Sequence, residues 1–160
     1  MKKYLAIAAG ALPLILAALW FLALQPGREA VSFPAAELLA DGVGHFESKE
    51  YELALEVLRQ VPEDDALSSQ ARYYEGSSYM MLKDYEAAAA SLESALVHDP
   101  QDTGVLYALG VAYYKLGNLD VAKGYFGAVL AINPNDAHAK GLMDIMAKLE
   151  RESSAPAESE

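Results

Sequence analysis

Gly42, Gly76 and Gly110 lie 34 residues apart, and no other feature of the 160-residue chain restricts its fold so sharply. Six further columns fall in the same register without a gap: Ala54, Ala88 and Ala122; Leu58, Leu92 and Phe126; Val61, Ala95 and Val129; His45, Tyr79 and Tyr113; Tyr51, Tyr85 and Leu119; Asp65, Asp99 and Asn133. A fixed period of this length marks a supersecondary unit repeated along the chain. Within a unit the apolar spacing is helical, as in Leu106, Leu109, Gly110 and Tyr113, and again in Val121, Ala122, Tyr125, Phe126 and Val129. The pattern breaks at Ser48-Lys49-Glu50, Leu82-Lys83-Asp84 and Leu116-Gly117-Asn118, so each unit predicts two helices. Gly117 suits the left-handed position that ends a helix, and Asp84 or Asn118 suits the cap of the next. Pro100 and Pro134 stop the second helices of units two and three.

A pair of short helices leaves an apolar face uncovered, and stacking further pairs on it buries that face. Small residues in the 42/76/110 and 54/88/122 columns let the paired helices approach closely. The best-formed unit carries Leu106, Leu109-Gly110, Tyr113, Ala122, Phe126 and Pro134. In this it resembles the tetratricopeptide repeat family, whose pattern runs aromatic or Leu, Leu-Gly, Tyr, Ala, aromatic, Pro. Unit two keeps Gly76, Tyr79, Ala88, Leu92 and Pro100 but has Arg72 and Glu75 where apolar residues are usual. Unit one keeps Gly42, Ala54 and Leu58, has Asp41 and His45 where Leu and Tyr are usual, and places its proline early, at Pro62. The resemblance implies an all-α solenoid of three helix-turn-helix units over 35–136, divided as 35–68, 69–102 and 103–136. Beyond it, Ala139, Leu142, Ile145, Met146 and Leu149 share one helical face, which predicts a capping helix over 137–151. Small, polar and acidic residues then predict a disordered tail over 152–160.

Residues 1–32 have a different character. Lys2 and Lys3 precede an uncharged run from Tyr4 to Leu24, which as a helix would be roughly 31 Å long and long enough to span a bilayer. Tyr4 and Trp20-Phe21 stand where interfacial aromatics anchor such a helix. The competing reading is a secretory signal cleaved at Ala30-Val31-Ser32; its apolar region would usually be shorter, about 7–15 residues. An uncleaved anchor is the expectation. The paired lysines then stay cytoplasmic and the repeats face outward, which for a bacterial inner membrane is the periplasm.

Twelve Lys and Arg stand against 23 Asp and Glu, a net charge of −11, and a chain this acidic repels the nucleic-acid backbone. Without cysteine there is no disulfide framework, thiolate metal site or Cys nucleophile. His45, His98 and His138 stand too far apart for a paired-ligand motif, so no metal and no cofactor are expected. His45 occupies a packing column, whereas His138 begins the capping helix and can face the groove. Gly42-Val43-Gly44 is too short for a phosphate loop, no nucleophile elbow occurs, and Glu63-Asp64-Asp65 after Pro62 predicts a solvated turn. No catalytic residue is assigned, and the chain is expected not to be an enzyme.

Proteins of the resembled family bind peptides or helices on a concave face lined by the first helix of each pair. Carried over by position, that groove comprises Leu39, Val43 and Phe46, then Tyr73, Ser77 and Met80, then Tyr107, Val111 and Tyr114. Tyr73, Tyr107, Tyr114 and Met80 lie off the packing columns, and Tyr and Met build adaptable recognition surfaces. One subclass grips a C-terminal carboxylate with Lys and Asn at places that here hold Leu39, Val43, Tyr74, Gly104 and Ala108. None donates to a carboxylate except, weakly, Tyr74, so that mode is excluded. The expected function is a membrane-anchored, non-catalytic adaptor docking an apolar or helical segment of an envelope protein, in secretion, envelope assembly or cytochrome maturation. The alternatives are a self-assembling homo-oligomeric scaffold and, behind it, a regulatory subunit of an enzyme.

Overall fold

The computed structural model describes residues 34–154, so the expected anchor at 4–24 and the end of the tail lie outside the described residues. The described residues hold seven helices: α1 Ala35–Glu47, α2 Tyr51–Leu58, α3 Ser68–Leu82, α4 Tyr85–Ala95, α5 Thr103–Lys115, α6 Leu119–Ile132 and α7 Ala137–Ser154. Successive helices pack as pairs α1/α2, α3/α4 and α5/α6, with α1, α3 and α5 stacked side by side and α7 laid on α6. The last helix runs three residues past the expected start of a disordered tail. No helix among the described residues is long and apolar enough to cross a membrane.

The period is a grammar of turns as well as of packing. Lys49, Lys83 and Gly117 all take positive φ, at 65°, 64° and 80°. After each, the chain closes the same hydrogen-bond pair, as in Asp84 N–H to the Tyr79 carbonyl at 3.0 Å and Lys83 N–H to the Met80 carbonyl at 3.1 Å. Asp65, Asp99 and Asn133 each accept the backbone N–H two residues on, which turns the chain between units. Asp102 caps α5 through the N–H groups of Gly104 and Val105, Asp136 caps α7 through Ala139, and Asp84 caps α4 through Ala87. Asn118, expected as a cap, makes no side-chain capping bond. The left-handed lysines were not anticipated. Because a side chain in that conformation costs roughly 1–2 kcal/mol, Lys83→Gly is expected to stabilise the protein by about 1 kcal/mol, read as a rise in Tm.

Between paired helices the three glycines meet the 58/92/126 column. A Cβ at Gly42 would lie 2.5 Å from Leu58 Cγ, one at Gly76 would lie 2.5 Å from Leu92 Cγ, and one at Gly110 would lie 2.6 Å from Phe126 Cε1. Ala54, Ala88, Ala122, Leu58, Leu92 and Phe126 are wholly buried. Unit two's departures have a structural reason. Glu75 is 3% exposed and pairs with Arg72, whose guanidinium also donates to the Val61 carbonyl at 3.3 Å, tying unit two to the end of unit one. The 45/79/113 column, expected to pack within its unit, also reaches the preceding one. Arg59 donates to the Tyr79 hydroxyl and lies over its ring, and Tyr113 donates to Glu93 Oε1 at 2.6 Å while stacking on Tyr125. That bond to a carboxylate, helped by burial, pushes the Tyr113 hydroxyl up to about 12.

The capping helix shows where the solenoid stops. One period beyond Leu106 and Gly110, α7 carries Lys140 and Asp144, both exposed, because no second helix covers that side of α7 among the described residues. Ala139 and Met146, on the side against α6, are fully buried, and Lys123 of α6 pairs with Glu150.

Candidate groove

The first helices place their second, fifth, ninth and twelfth residues along a common line, because 34-residue units stack in register and helical side chains recur every three or four positions. Leu39, expected on that line, instead belongs to the core between units one and two, where it is 8% exposed. Its neighbours Leu38, Ala54, Leu58 and Ala71 form the same cluster, which spans the boundary between units one and two. Val43 and Phe46 are half-buried against this cluster. Phe46 meets the Tyr74 ring edge-on at 5.6 Å between centroids, and Tyr74 meets Tyr73 at 5.5 Å, giving a continuous aromatic chain from α1 to α3. Tyr74 enters this chain although its sequence place suggested only a failed carboxylate grip.

Further along, Tyr73 and Met80 pack on the cluster of Leu92, Val105 and Leu109, with Ser77 half-buried between them in sequence. Met81 is 55% exposed. Tyr107, Val111 and Tyr114 pack on the cluster around Phe126, Val129 and Met146. Tyr107 lies 5.6 Å from the Phe126 ring and 6.2 Å from His138, and the Lys115 ammonium stands over Tyr114 at 6.0 Å. Tyr73, Tyr107, Tyr114 and Met80 therefore do have a structural role: one edge of each seals the core while the rest of the side chain remains accessible. The places of the carboxylate grip hold buried Leu39, half-buried Val43, Tyr74 and Ala108, and exposed Gly104.

Two clefts border the first helices. One, of about 220 Å3, lies between the start of α5 and the start of α7 and is bounded by Thr103, Gly104, Tyr107, Asp136 and His138. The other, of about 200 Å3, is bounded by Glu63, Ser68, Arg72, Ser94, Val97 and His98, and its one arginine is already engaged with Glu75. Among the described residues no three His, Asp or Glu side chains converge as a metal site. What the arrangement offers is contact: half-exposed aromatic and thioether side chains on a rigid helical wall.

Helices paired in register and stacked into a common inner wall define a helical-repeat solenoid. The chain belongs to the tetratricopeptide repeat family: two family models described as tetratricopeptide repeat match residues 39–103 and 79–149, together more than half of the chain. Solved structures agree on the fold. The first such domain of Spaghetti (RPAP3), bound to the HSP90 peptide SRMEEVD, is 21% identical with a TM-score of 0.67 over 73% of this chain and 95% of that one. The second domain of human RPAP3, in complex with the HSP70 peptide SGPTIEEVD, is 24% identical with a TM-score of 0.66 over 71% and 94%. MamA is 26% identical with a TM-score of 0.65, covering 78% of this chain and 82% of its own. No match is found among curated proteins.

Proposed function

We propose that this chain is a non-catalytic adaptor, held in the cytoplasmic membrane by residues 4–24, whose outward-facing repeat domain docks an apolar or helical segment of an envelope protein. The observation that carries the reading is the half-exposed aromatic and Met wall of α1, α3 and α5, in particular the Phe46, Tyr74, Tyr73 chain. Similar domains are solved with chaperone peptides that end in Glu-Glu-Val-Asp. Here the places that would grip such a tail hold apolar or small residues and one tyrosine, so the ligand is apolar in its central contacts. The anchor rests on the uncharged run from Tyr4 to Leu24 after two lysines. Resistance of the full chain to extraction by alkaline wash, with an uncleaved N-terminus, supports it; a mature N-terminus near Phe33 replaces it with secretion.

The adaptor reading is tested with two variants on opposite faces. Tyr73→Ala with Met81→Ala is expected to weaken capture of a crosslinked partner more than tenfold, since aromatic anchors at interfaces commonly contribute about 2 kcal/mol or more. Tyr73 seals part of the core, so a fall of a few degrees in Tm accompanies the loss while helicity stays near wild type. Leu53→Asp, on the exposed outer side of α2, is expected to leave capture unchanged. Equal capture by the groove variant, or loss only in the α2 variant, refutes the groove.

A further inference from the structure

The inner wall does not end at α5. One period beyond Gly104, Ala108, Val111 and Lys115, a line that runs beside Tyr107 and Tyr114 on α5, stand His138, Leu142, Ile145 and Leu149, spaced so that they form one line along α7, while the counterparts of Tyr107 and Tyr114 themselves are Gly141 and Lys148. The His138 ring meets Tyr107, and Leu142 packs on the same cluster as Tyr107, Val111 and Tyr114, which sets this line beside the groove residues of α5. Ile145 and Leu149 remain 48% and 42% exposed. A helix that only terminates the stack carries polar residues on its uncovered faces, as α7 does at Lys140 and Asp144. On the line beside the groove it carries Leu142, Ile145 and Leu149.

At the head of this line lies the cleft of about 220 Å3. Gly104 lines it, and a Cβ there would crowd the capping oxygen of Asp102, at 3.2 Å. Tyr107 and Asp136 both line the cleft. One oxygen of Asp136 caps α7 and one of Asp102 caps α5, so both helix starts already hold their anion and each carboxylate keeps a second oxygen. Among the lining residues only His138 can carry positive charge. The basic residue that ends α5, Lys115, is eleven residues along that helix, roughly 16 Å away. A tyrosine and a carboxylate lining one cleft of a strongly acidic chain complement a cation. A second copy of this chain, itself at −11, is a poor fit.

We propose that α7 is a working wall of the groove. The partner segment lays apolar residues at helical spacing along Leu142, Ile145 and Leu149 and places a lysine or arginine between Tyr107 and Asp136. This rests on the adaptor reading and gives the partner its chemistry: an amphipathic segment with a basic end.

The test uses the full chain in mild detergent and three synthetic amphipathic peptides with leucines at i, i+3, i+4 and i+7, differing only in Lys, Gln or Glu at both ends. The Lys peptide is expected to bind about tenfold or more tighter than the Gln peptide, and the Glu peptide weakest. Asp136→Asn keeps a capping oxygen for Ala139 and is expected to remove most of that preference. Asp120→Asn, exposed on α6, leaves it in place. Ile145→Ser weakens all three peptides alike at unchanged helicity. If Asp120→Asn acts as strongly as Asp136→Asn, the preference is general surface charge and the subsite is wrong. Should Asp136→Asn and Ile145→Ser bind as wild type while Tyr73→Ala with Met81→Ala does not, the segment lies on α1 and α3 alone; the adaptor reading stands and this inference falls. Failure of every peptide to bind, or a dimer dispersed by Ile145→Ser, also overturns it.

Discussion

Gly110→Leu is expected to abolish ordered packing of the third unit and to free α7 with it. A Cβ at this position alone would come within 2.6 to 2.9 Å of three atoms of the Phe126 ring. That ring is fully buried among Leu106, Ala122, Val129 and Met146, so it has nowhere to move. Overpacking of this kind costs about 1–3 kcal/mol where the core can shift; here the helices must separate. The exposure of amides in α5 to α7 to hydrogen exchange, with α1 to α4 still protected, is the expected signature, because a solenoid is held by neighbour contacts. Gly124→Ala is the control: nothing lies within 4 Å of that site, and a helical Gly to Ala change there is expected to raise Tm. Wild-type melting of Gly110→Leu would mean that α5 and α6 do not meet at the 110/126 columns.

The second large effect concerns Arg72 and Glu75. Glu75→Leu alone leaves an arginine side chain, 16% exposed, facing the unit boundary without its carboxylate. Removing one partner of a buried pair typically costs about 3–5 kcal/mol. Arg72→Leu with Glu75→Leu restores the apolar pattern of unit three and is expected to match or exceed wild-type stability, since a buried pair is often no better than hydrophobic packing of similar volume. Denaturant unfolding of the two singles and the double gives the coupling energy. A double variant as unstable as Glu75→Leu would show that the pair is needed for more than mutual neutralisation, through the bond to the Val61 carbonyl.

Most of the fold was legible because its cause is periodic. The glycine column had to face something large 16 residues later, and the helix breaks had to recur. The left-handed Lys49 and Lys83 were hidden because lysine gives no compositional hint of that conformation; only their register with Gly117 does. Arg72 and Glu75 read as departures from a pattern, and their mutual burial depends on Val61 of the preceding unit, a contact no single-unit pattern contains. The groove was less legible. Exposure on a first helix depends on how it packs against the neighbouring unit, which places Leu39 in the core beside Ala71, and the aromatic chain through Tyr74 depends on the relative rotation of α1 and α3. In sequence α7 reads as having one packing face, because Ala139 and Met146, which are buried, interleave with Ile145 and Leu149, which are not.

The closing turns at Lys49, Lys83 and Gly117 share one hydrogen-bond pattern, and Asp65, Asp99 and Asn133 recur at one register between units, which makes the chain a ruler with repeating graduations. Each helix pair is followed at the same register by a side chain that accepts the N–H two residues on, although the link shortens from nine residues after α2 to seven after α4 and four after α6, and the principal contacts join only helices of one unit or of adjacent units. A duplicate of residues 103–136 inserted before Ala137 would present to α7 the surface that α6 already presents, and its first helix would lie on α6 where α7 now lies. The wall of first helices can thus be lengthened without redesigning its ends, and its length is set by how many graduations precede the last helix.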